Sequence, residues 1–262
     1  MNFNYLKLPI YLLLISLFTF SCSEQKNKEE KKTKAKVEEK KKAKAAEKFI
    51  KLDNSNAAAF LEEYGKKNKE TILLLKTSKG DMKIRLYENT PLHRANFLML
   101  SKRKYFNKTQ FYRVIKNFMV QAGDSDDREL GRVKKNIGKY QIPAEFRAGN
   151  FHKKGALALA REYEQNPEKK SSSFDFYIVQ GEKYNKQSLE ALEMENNITF
   201  SPEQVQIYTT LGGTPHLDGE HTVFGEVIEG LSVIDSIAAV EVSAEDNWPV
   251  DEVNILDVVV LQ

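Results

Sequence analysis

The sequence predicts an all-β domain over residues 71–262, built as a closed antiparallel β-barrel with two core helices. Short segments rich in β-branched and aromatic residues recur along this part of the chain, and turn signals separate them. Only two of its segments combine a helix start with an apolar side that suits the core. Many short strands with few helices are typical of a barrel.

The strand pattern begins at residue 71. Two segments, 71–77 and 81–88, flank Ser78-Lys79-Gly80 and predict a hairpin. The other strands are predicted at 109–115, 118–122, 155–161, 175–180, 221–228 and 253–261.

Two core helices and a helical insertion complete the predicted domain. Thr90 as N-cap and Pro91 in the first turn predict one core helix, and LSVIDSIA after Glu229 predicts the other. Residues 183–211 interrupt the strand pattern. Within them LEALEME is helix-like, and Ser201-Pro202-Glu203-Gln204 predicts a helix start with a capping box.

The charge of the chain is unevenly distributed. Residues 23–48 contain 11 lysines and 6 acidic residues, and Lys7 adds one positive charge. Since the whole chain carries +3, residues 49–262 carry −3. The predicted domain therefore lacks the basic surface of a nucleic-acid-binding protein, and we expect no nucleic-acid partner.

The N-terminus predicts export and a lipid anchor. Lys7 precedes an apolar run, Leu8–Phe20, that is too short to span a bilayer but suits the core of a signal peptide. Cys22, the only cysteine, follows in LFTFSC. This resembles the lipobox of bacterial lipoproteins, although Thr19 stands where Leu is usual. We expect a signal peptide over 1–21 and lipidation of Cys22. An unmodified cysteine after a plain signal peptide is the alternative.

A polar segment separates this predicted anchor from the domain. Residues 22–48 are almost free of apolar side chains after the cysteine and predict a solvated tether. A basic arm lying on anionic lipid or cell-wall polymer is the alternative. Residues 49–70 form a short lead-in, in which Ser55–Lys67 predicts an amphipathic helix with Gly65 as its end signal.

One stretch of the domain, FYRVIKNFMVQAGD at 111–124, places an arginine among apolar residues. It resembles the signature of the cyclophilins, F-x-R-x-I-x-x-F-M-x-Q-x-G-D. The resemblance continues in order through TPLHRANFLML, IPAEF, KGALALAR, FDFYIVQG and LDGEHTVFGEVIEGLSVID. It covers about residues 71–262, apart from the insertion. It implies an eight-stranded antiparallel barrel closed by two helices, and peptidyl-prolyl cis-trans isomerase activity.

The chemistry of this reaction explains the residue types. Rotation about an X–Pro bond must break amide resonance, with a barrier of roughly 18–20 kcal/mol. In the twisted transition state the proline nitrogen regains a lone pair, so a donor against that nitrogen favours the transition state over the planar ground state. The reaction needs an apolar pocket, polar groups for the flanking carbonyl and one cation. It needs no metal or cofactor.

The resemblance assigns a role to each candidate residue. Arg113 is the catalytic donor, and Gln121 holds the substrate carbonyl and orients the guanidinium. Strand alternation places Arg113 on one face with Phe111 and Ile115. The substrate-binding candidates are Phe118, Met119, Ala160, Arg161, Asp175, Tyr177, His216, Leu217 and His221. Proline-containing polypeptides are the implied partners, and we expect a monomer.

The chain departs from the family pattern in three places. Ala160-Arg161-Glu162 replaces Ala-Asn-Ala, and Asp175 replaces the glutamine of G-S-Q-F-F. A carboxylate at 175 either pairs with Arg113 and competes with substrate, or holds the guanidinium in place. His216 stands at the position of a tryptophan that binds cyclosporin in many members, so weak inhibition by cyclosporin is expected.

Other interpretations remain open. A proline-peptide-binding or chaperone module with little catalysis would retain the groove, and a structural envelope lipoprotein would bind no peptide. His216, Asp218 and His221 could be read as a metal cluster, but a tight turn before a strand explains them without one. His93 and His152 are expected to be surface or helix-flanking residues.

Overall fold

The computed structural model describes residues 50–262, whose central element is an eight-stranded antiparallel sheet. The predicted signal peptide, Cys22 and the tether lie outside the described residues. No helix in the described part is both long and apolar enough to cross a membrane.

The strands and helices follow one another as the sequence predicts, with a few additions. The strands are β1 (Leu52–Asp53), β2 (Ile72–Thr77), β3 (Gly80–Leu86), β4 (Gln110–Ile115), β5 (Met119–Asp124), β6 (Gly138–Lys139), β7 (Gln141–Ile142), β8 (Ala156–Leu159), β9 (Ser171–Ser172), β10 (Phe176–Val179), β11 (Val223–Glu229) and β12 (Ile255–Val260). The helices are α1 (Ala57–Lys67), α2 (Pro91–Lys102), α3 (Arg128–Ile137), α4 (Lys186–Asn196), α5 (Pro202–Thr210) and α6 (Leu231–Ala238), and 3-10 turns lie at Tyr105–Lys108 and Pro215–Leu217.

The main sheet contains all eight predicted strands, in the order β12-β2-β3-β11-β8-β10-β5-β4. Pairing between its two edge strands is limited to a bridge between Gln110 and Asn254 and to neighbouring backbone hydrogen bonds, such as Phe111 N to Val253 O at 2.8 Å. The sheet is therefore a curled half-barrel. A continuously closed barrel is not confirmed.

The inner face of the sheet packs on α2, which is buried along most of its length. Phe97 of this helix lies 4.8 Å from Phe106, and it meets Phe176 edge-on at 5.3 Å, measured between ring centroids. Phe97, Phe106 and Phe176 are fully buried and belong to the main core. Burying each such ring contributes about 1.5–3 kcal/mol relative to leaving it exposed.

The central strands are apolar on both faces. In β5, Val120 and Ala122 belong to the main core, whereas Met119 lies on the outer face. In β10, Phe176 likewise points inward and Tyr177 outward. The sequence shows near-continuous apolar runs here because a second apolar cluster covers the outside of the sheet.

Two helices differ from expectation. Gly65 does not end α1, which continues to Lys67. A Cβ built at Gly65 would lie 3.3 Å from the Cβ of Ala95, so the glycine allows α1 to pack closely on α2. Helix α3 was not predicted. It begins after Asp127, whose side chain accepts a hydrogen bond from the Glu129 amide. The insertion contains α4 and α5, and the predicted capping box at Ser201 is present.

The first turn of α2 is held by a distant carboxylate. Thr90 precedes the helix, but its side chain makes no capping bond. Instead the buried Glu145 accepts from the backbone amides of Leu92 at 3.2 Å and His93 at 3.0 Å. A carboxylate at this end also interacts favourably with the helix dipole.

The same carboxylate orients a buried histidine. Glu145 Oε2 lies 2.7 Å from His93 Nδ1, and the Ser171 hydroxyl lies 3.0 Å from His93 Nε2. The expectation that His93 is a surface residue is wrong, because its ring is fully buried. Burial lowers the pKa of His93, so the neutral ring donates from Nδ1 and accepts from the serine.

Replacing Glu145 tests this arrangement. We expect Glu145→Ala to lower the free energy of unfolding by about 3 kcal/mol, because it leaves buried N–H groups without an acceptor. Urea unfolding measures the change. Glu168→Ala is the control, since the exposed Glu168 forms a surface ion pair with Lys170. A loss for Glu145→Ala no larger than for this control would contradict the assignment.

Candidate active site

Arg113 and Gln121 face each other across the β4–β5 hairpin. They are directly paired in the register, and Arg113 Nη1 donates to Gln121 Oε1 at 3.4 Å. The register shifts between Phe111 and Arg113, so strand alternation is broken there. The prediction that Arg113 shares a face with Phe111 is wrong. Phe111 is buried in the main core, whereas Arg113 is exposed.

The apolar candidates come together on the outer face of the sheet. Met119, Tyr177 and Leu217 are buried in the second cluster, and Phe118 and Ala160 pack against it. Ala156, Ala158, Val179 and Val223 form the floor of this cluster. We call this set the outer cluster. Its Tyr177 is paired across the sheet with Gln121, and Gln121 is paired in turn with Arg113.

Two histidines border the outer cluster. His216 stacks on Phe118, with ring centroids 5.5 Å apart, and His221 meets Tyr177 edge-on at 5.6 Å. His221 Nδ1 donates to the Leu159 carbonyl at 3.3 Å, so its Nε2 accepts from Tyr163. Burial lowers the pKa of His221 to about 4, and the ring is neutral at pH 7. It therefore contributes shape and an acceptor, not charge.

Arg161 is held at the border by an acidic partner. Its Nη2 donates to Glu220 Oε2 at 2.6 Å and its Nε to the Glu220 carbonyl at 2.8 Å. The guanidinium also lies 4.1 Å from the ring centroid of Tyr163. Glu220 also pairs through Oε1 with Lys169 at 2.6 Å, so two cations share this carboxylate. Tyr163, which is 65% exposed, extends the border outward.

A chain of polar side chains leads from Arg113 to Asp175. Gln121 accepts from Arg113 and donates through Nε2 to the Tyr112 hydroxyl, which in turn donates to Asp175 Oδ1 at 3.3 Å. Asp175 therefore does not pair directly with the arginine. Of the two roles expected for this carboxylate, the geometry favours holding the guanidinium in place, through two intermediates.

The environment of Asp175 disfavours its charged form. Burial raises the pKa of its carboxyl to about 6, with Asp124 acting in the same direction and Lys134 opposing it. Lys134 is itself paired with Asp124 at 2.7 Å. Asp175 is thus partly protonated near pH 6, and its carboxylate form is favoured by Lys134 and by the hydrogen bond from the Tyr112 hydroxyl.

The possible metal cluster has another explanation. Asp218 is bonded to His152 Nδ1 at 2.9 Å and to the Tyr208 hydroxyl at 2.6 Å. In residues 50–262 no three His, Cys, Asp or Glu side chains are grouped so that they could hold a metal ion. His152 is buried, so its expected surface position is wrong.

Sequence patterns did not identify Tyr112, Tyr163 or His152 as part of this site. Their partners lie far away in the chain, such as Asp175 for Tyr112 and His221 for Tyr163. For Tyr112 the only signal was its place beside Arg113. For the other two no local pattern separates them from ordinary surface residues.

Comparison with known proteins identifies the family. A model of the "Cyclophilin type peptidyl-prolyl cis-trans isomerase/CLD" family matches residues 72–260. The chain belongs to the cyclophilin-type peptidyl-prolyl cis-trans isomerases. A cyclophilin relative from Staphylococcus epidermidis, provisionally named a peptidyl-prolyl cis-trans isomerase, is 35% identical over 187 residues, which are 71% of this chain and 89% of the relative.

Two further matches agree with this assignment. A Streptococcus pyogenes protein, provisionally named a bifunctional phosphatase/peptidyl-prolyl cis-trans isomerase, is 36% identical over 177 residues. These are 66% of this chain but only 35% of that protein. A crystal structure of a Cryptosporidium parvum cyclophilin has the same fold, with a TM-score of 0.52 and 22% identity, covering 74% of this chain and 98% of that one.

The raised pKa of Asp175 predicts how the stability of this cyclophilin depends on pH. Because folding raises this pKa from 3.8 to about 6, the unfolded state binds fewer protons between these values, and the carboxyl destabilises the fold as pH rises. We expect Asp175→Asn, which cannot ionise, to gain about 2 kcal/mol relative to wild type between pH 4 and pH 7.

Chemical denaturation at both pH values measures this difference. Asp126→Asn is the control, because Asp126 is an exposed aspartate on the connection between β5 and α3. A stability difference between Asp175→Asn and wild type that does not change with pH would refute the assignment.

Proposed function

We propose that this isomerase acts on X–Pro bonds of exported proteins and assists their folding in the cell envelope. Family membership supports the reaction. The single observation that supports the site is that Gln121 binds the guanidinium of Arg113 and is paired on its other side with Tyr177 of the outer cluster. Such a surface can hold a pyrrolidine ring on apolar side chains while a fixed cation meets the ring nitrogen.

In the proposed mechanism Arg113 is the catalytic donor. The proline ring lies on Met119, Phe118, Tyr177 and Leu217, which exclude water and hold the ring while the bond rotates. As the nitrogen becomes pyramidal, the guanidinium donates to its new lone pair, an interaction that the planar amide cannot accept to the same degree. No covalent intermediate is required.

Gln121 has a second part in this mechanism. Its Oε1 accepts from Arg113 and its Nε2 donates to Tyr112, so the amide orientation is fixed from both sides. The guanidinium is therefore positioned before substrate arrives. The proposed holding of a substrate carbonyl by Gln121 would require the amide to exchange its bond with Tyr112, which links substrate binding to the Tyr112–Asp175 pair.

The substrates we propose are proline-containing segments of polypeptides. The Cryptosporidium parvum cyclophilin has also been crystallised in the presence of the dipeptide Ala-Pro. The border of the outer cluster here contains side chains of both charges, Arg161 and Glu220, next to the exposed Tyr163. Polar and aromatic flanking residues of a substrate would find partners there.

A proline-peptide-binding or chaperone module is the second candidate. The observation that favours it is the bond between Gln121 and Tyr112, which occupies an amide group that the mechanism needs for substrate. If this bond persists, the groove binds proline but turns over slowly.

Replacing Arg113 distinguishes these two functions. We expect Arg113→Ala to lower kcat/KM for cis-to-trans conversion of a short X–Pro peptide by about 10²–10³-fold, because the transition state loses its donor. Arg85→Ala is the control, since Arg85 is also a strand arginine, exposed and paired with Glu226. Equal rates for wild type and Arg113→Ala, with peptide binding intact, would support the binding module instead.

The proposed location rests on the N-terminal sequence. The apolar run before Cys22 and the charged segment 23–48 support a lipid anchor followed by a tether. A tether of this composition would let the domain reach exported chains away from the membrane surface.

Labelling the exported protein with radioactive palmitate tests the anchor. We expect incorporation into wild type and membrane association that detergent releases, and neither in Cys22→Ala. Ser21→Ala is the control, because it changes the neighbouring residue and keeps the thiol. Equal labelling of wild type and Cys22→Ala would exclude lipidation at this cysteine.

A further inference from the structure

The helical insertion reaches the active site through buried polar contacts. Helices α4 and α5 enclose a small core of their own, formed by Leu189, Phe200 and Tyr208 together with Phe151. Tyr208 lies between Phe151 and Phe200, with ring centroids 5.6 and 5.7 Å away. Because Phe151 precedes His152 in the chain, the insertion is packed on the segment that leads into β8.

The two ends of the insertion meet where Glu182 pairs with Gly213. Gly213 exchanges backbone hydrogen bonds with Glu182, and Thr214 N donates to the His152 carbonyl at 2.8 Å. A Cβ built at Gly213 would lie 2.2 Å from the His152 carbonyl oxygen. The close approach excludes any side chain there and fixes the insertion against the backbone of His152.

Asp218 connects the insertion to the main domain. Its Oδ2 accepts from the Tyr208 hydroxyl at 2.6 Å and from Gln204 Nε2 at 3.2 Å, and both donors come from α5. Its Oδ1 accepts from the amide and the Nδ1 of His152, each at 2.9 Å. Four donors thus fix one carboxylate, and two of them belong to the insertion.

His152 links Asp218 to the outer cluster through Tyr177. With its Nδ1 proton directed at Asp218, its Nε2 is an acceptor, and the Tyr177 hydroxyl donates to it at 3.0 Å. The two rings are nearly parallel, with an interplanar angle of 13°. Burial raises the pKa of Tyr177, so its hydroxyl remains a donor.

Tyr177 is the residue at which this chain of contacts meets the proposed substrate. Its ring belongs to the outer cluster beside Met119 and Leu217, and it meets His221 edge-on. The family pattern quoted above has Phe at this position. A Phe there has no hydroxyl for His152, so the connection depends on the hydroxyl by which Tyr177 departs from that pattern.

We propose that the insertion is a positioning element for the proline pocket. Tyr208 and Gln204 of α5 hold Asp218, Asp218 fixes His152, and His152 fixes the ring of Tyr177 against which the proline packs. None of these residues except Tyr177 touches substrate. The inference rests on the proposed function, because it assigns the outer cluster as the proline pocket.

A double-mutant cycle tests the proposal. Tyr208→Phe removes only the hydroxyl that binds Asp218, and Tyr177→Phe removes only the hydroxyl that binds His152. We expect Tyr208→Phe to raise KM for an X–Pro peptide about fivefold with a smaller change in kcat, and to have less than a twofold effect in the Tyr177→Phe background. Tyr184→Phe is the control, because Tyr184 packs against the core of the insertion without belonging to the polar chain.

Two outcomes would overturn the proposal: an unchanged KM in Tyr208→Phe, or the same change in both backgrounds. The nitrogen NMR shifts of His152 provide a measurement that does not depend on catalysis. We expect the Nδ1–H form in wild type and in Tyr184→Phe, with a changed Nδ1–H proton shift in Tyr208→Phe. An unaffected signal would also overturn the proposal.

Measurements with the same X–Pro peptide distinguish a failure of this proposal from a failure of the proposed function. If wild type does not accelerate isomerisation, the proposed function fails, and the cycle is then measured on peptide dissociation constants. Coupling between Tyr208 and Tyr177 in binding would support the positioning role even there. Additive effects on binding would reject it.

Discussion

The structure depends on three central strands that are apolar on both faces. On the inner face of β5, β8 and β10, side chains such as Phe176 pack with α2 and form the main core. On the outer face the alternate residues, Tyr177 among them, form a second cluster at the surface. The residues of this cluster are nearly fully buried, whereas Phe118 and Ala160 at its margin are partly buried.

The placement of one charge follows from this arrangement. Arg113 could not be buried in β4 without a partner, and the register shift after Phe111 turns it outward, next to the outer cluster. Its position is then fixed by Gln121, and more remotely by Tyr112 and Asp175. Burial disfavours the ionisation of Asp175. This carboxylate is nevertheless the last member of the chain of hydrogen bonds that holds the permanently charged Arg113.

Two buried histidines, His93 in α2 and His152 before β8, share a common arrangement. His93 and His152 each direct Nδ1 at a carboxylate and accept a hydrogen bond from a hydroxyl group at Nε2. In the first case the carboxylate of Glu145 also caps α2, and in the second Asp218 joins α5 to the pocket. A buried polar network is favourable when each of its polar groups has a hydrogen-bond partner. In both networks these partners come from segments that are far apart in the chain.

The sequence by itself determined the eight strands and the family, and it indicated the apolar residues that meet in the outer cluster, because these follow from local periodicity and from ordered motifs. It also indicated the insertion through the capping box at Ser201. Only the tertiary structure decided which side of β4 carries Arg113, that the sheet is curled without continuous closure, and that His152 is buried. These features depend on a local register shift and on hydrogen bonds between residues as far apart as Tyr112 and Asp175 or His152 and Asp218. No pattern within a segment specifies such contacts, since they form only when the strands and loops are brought together.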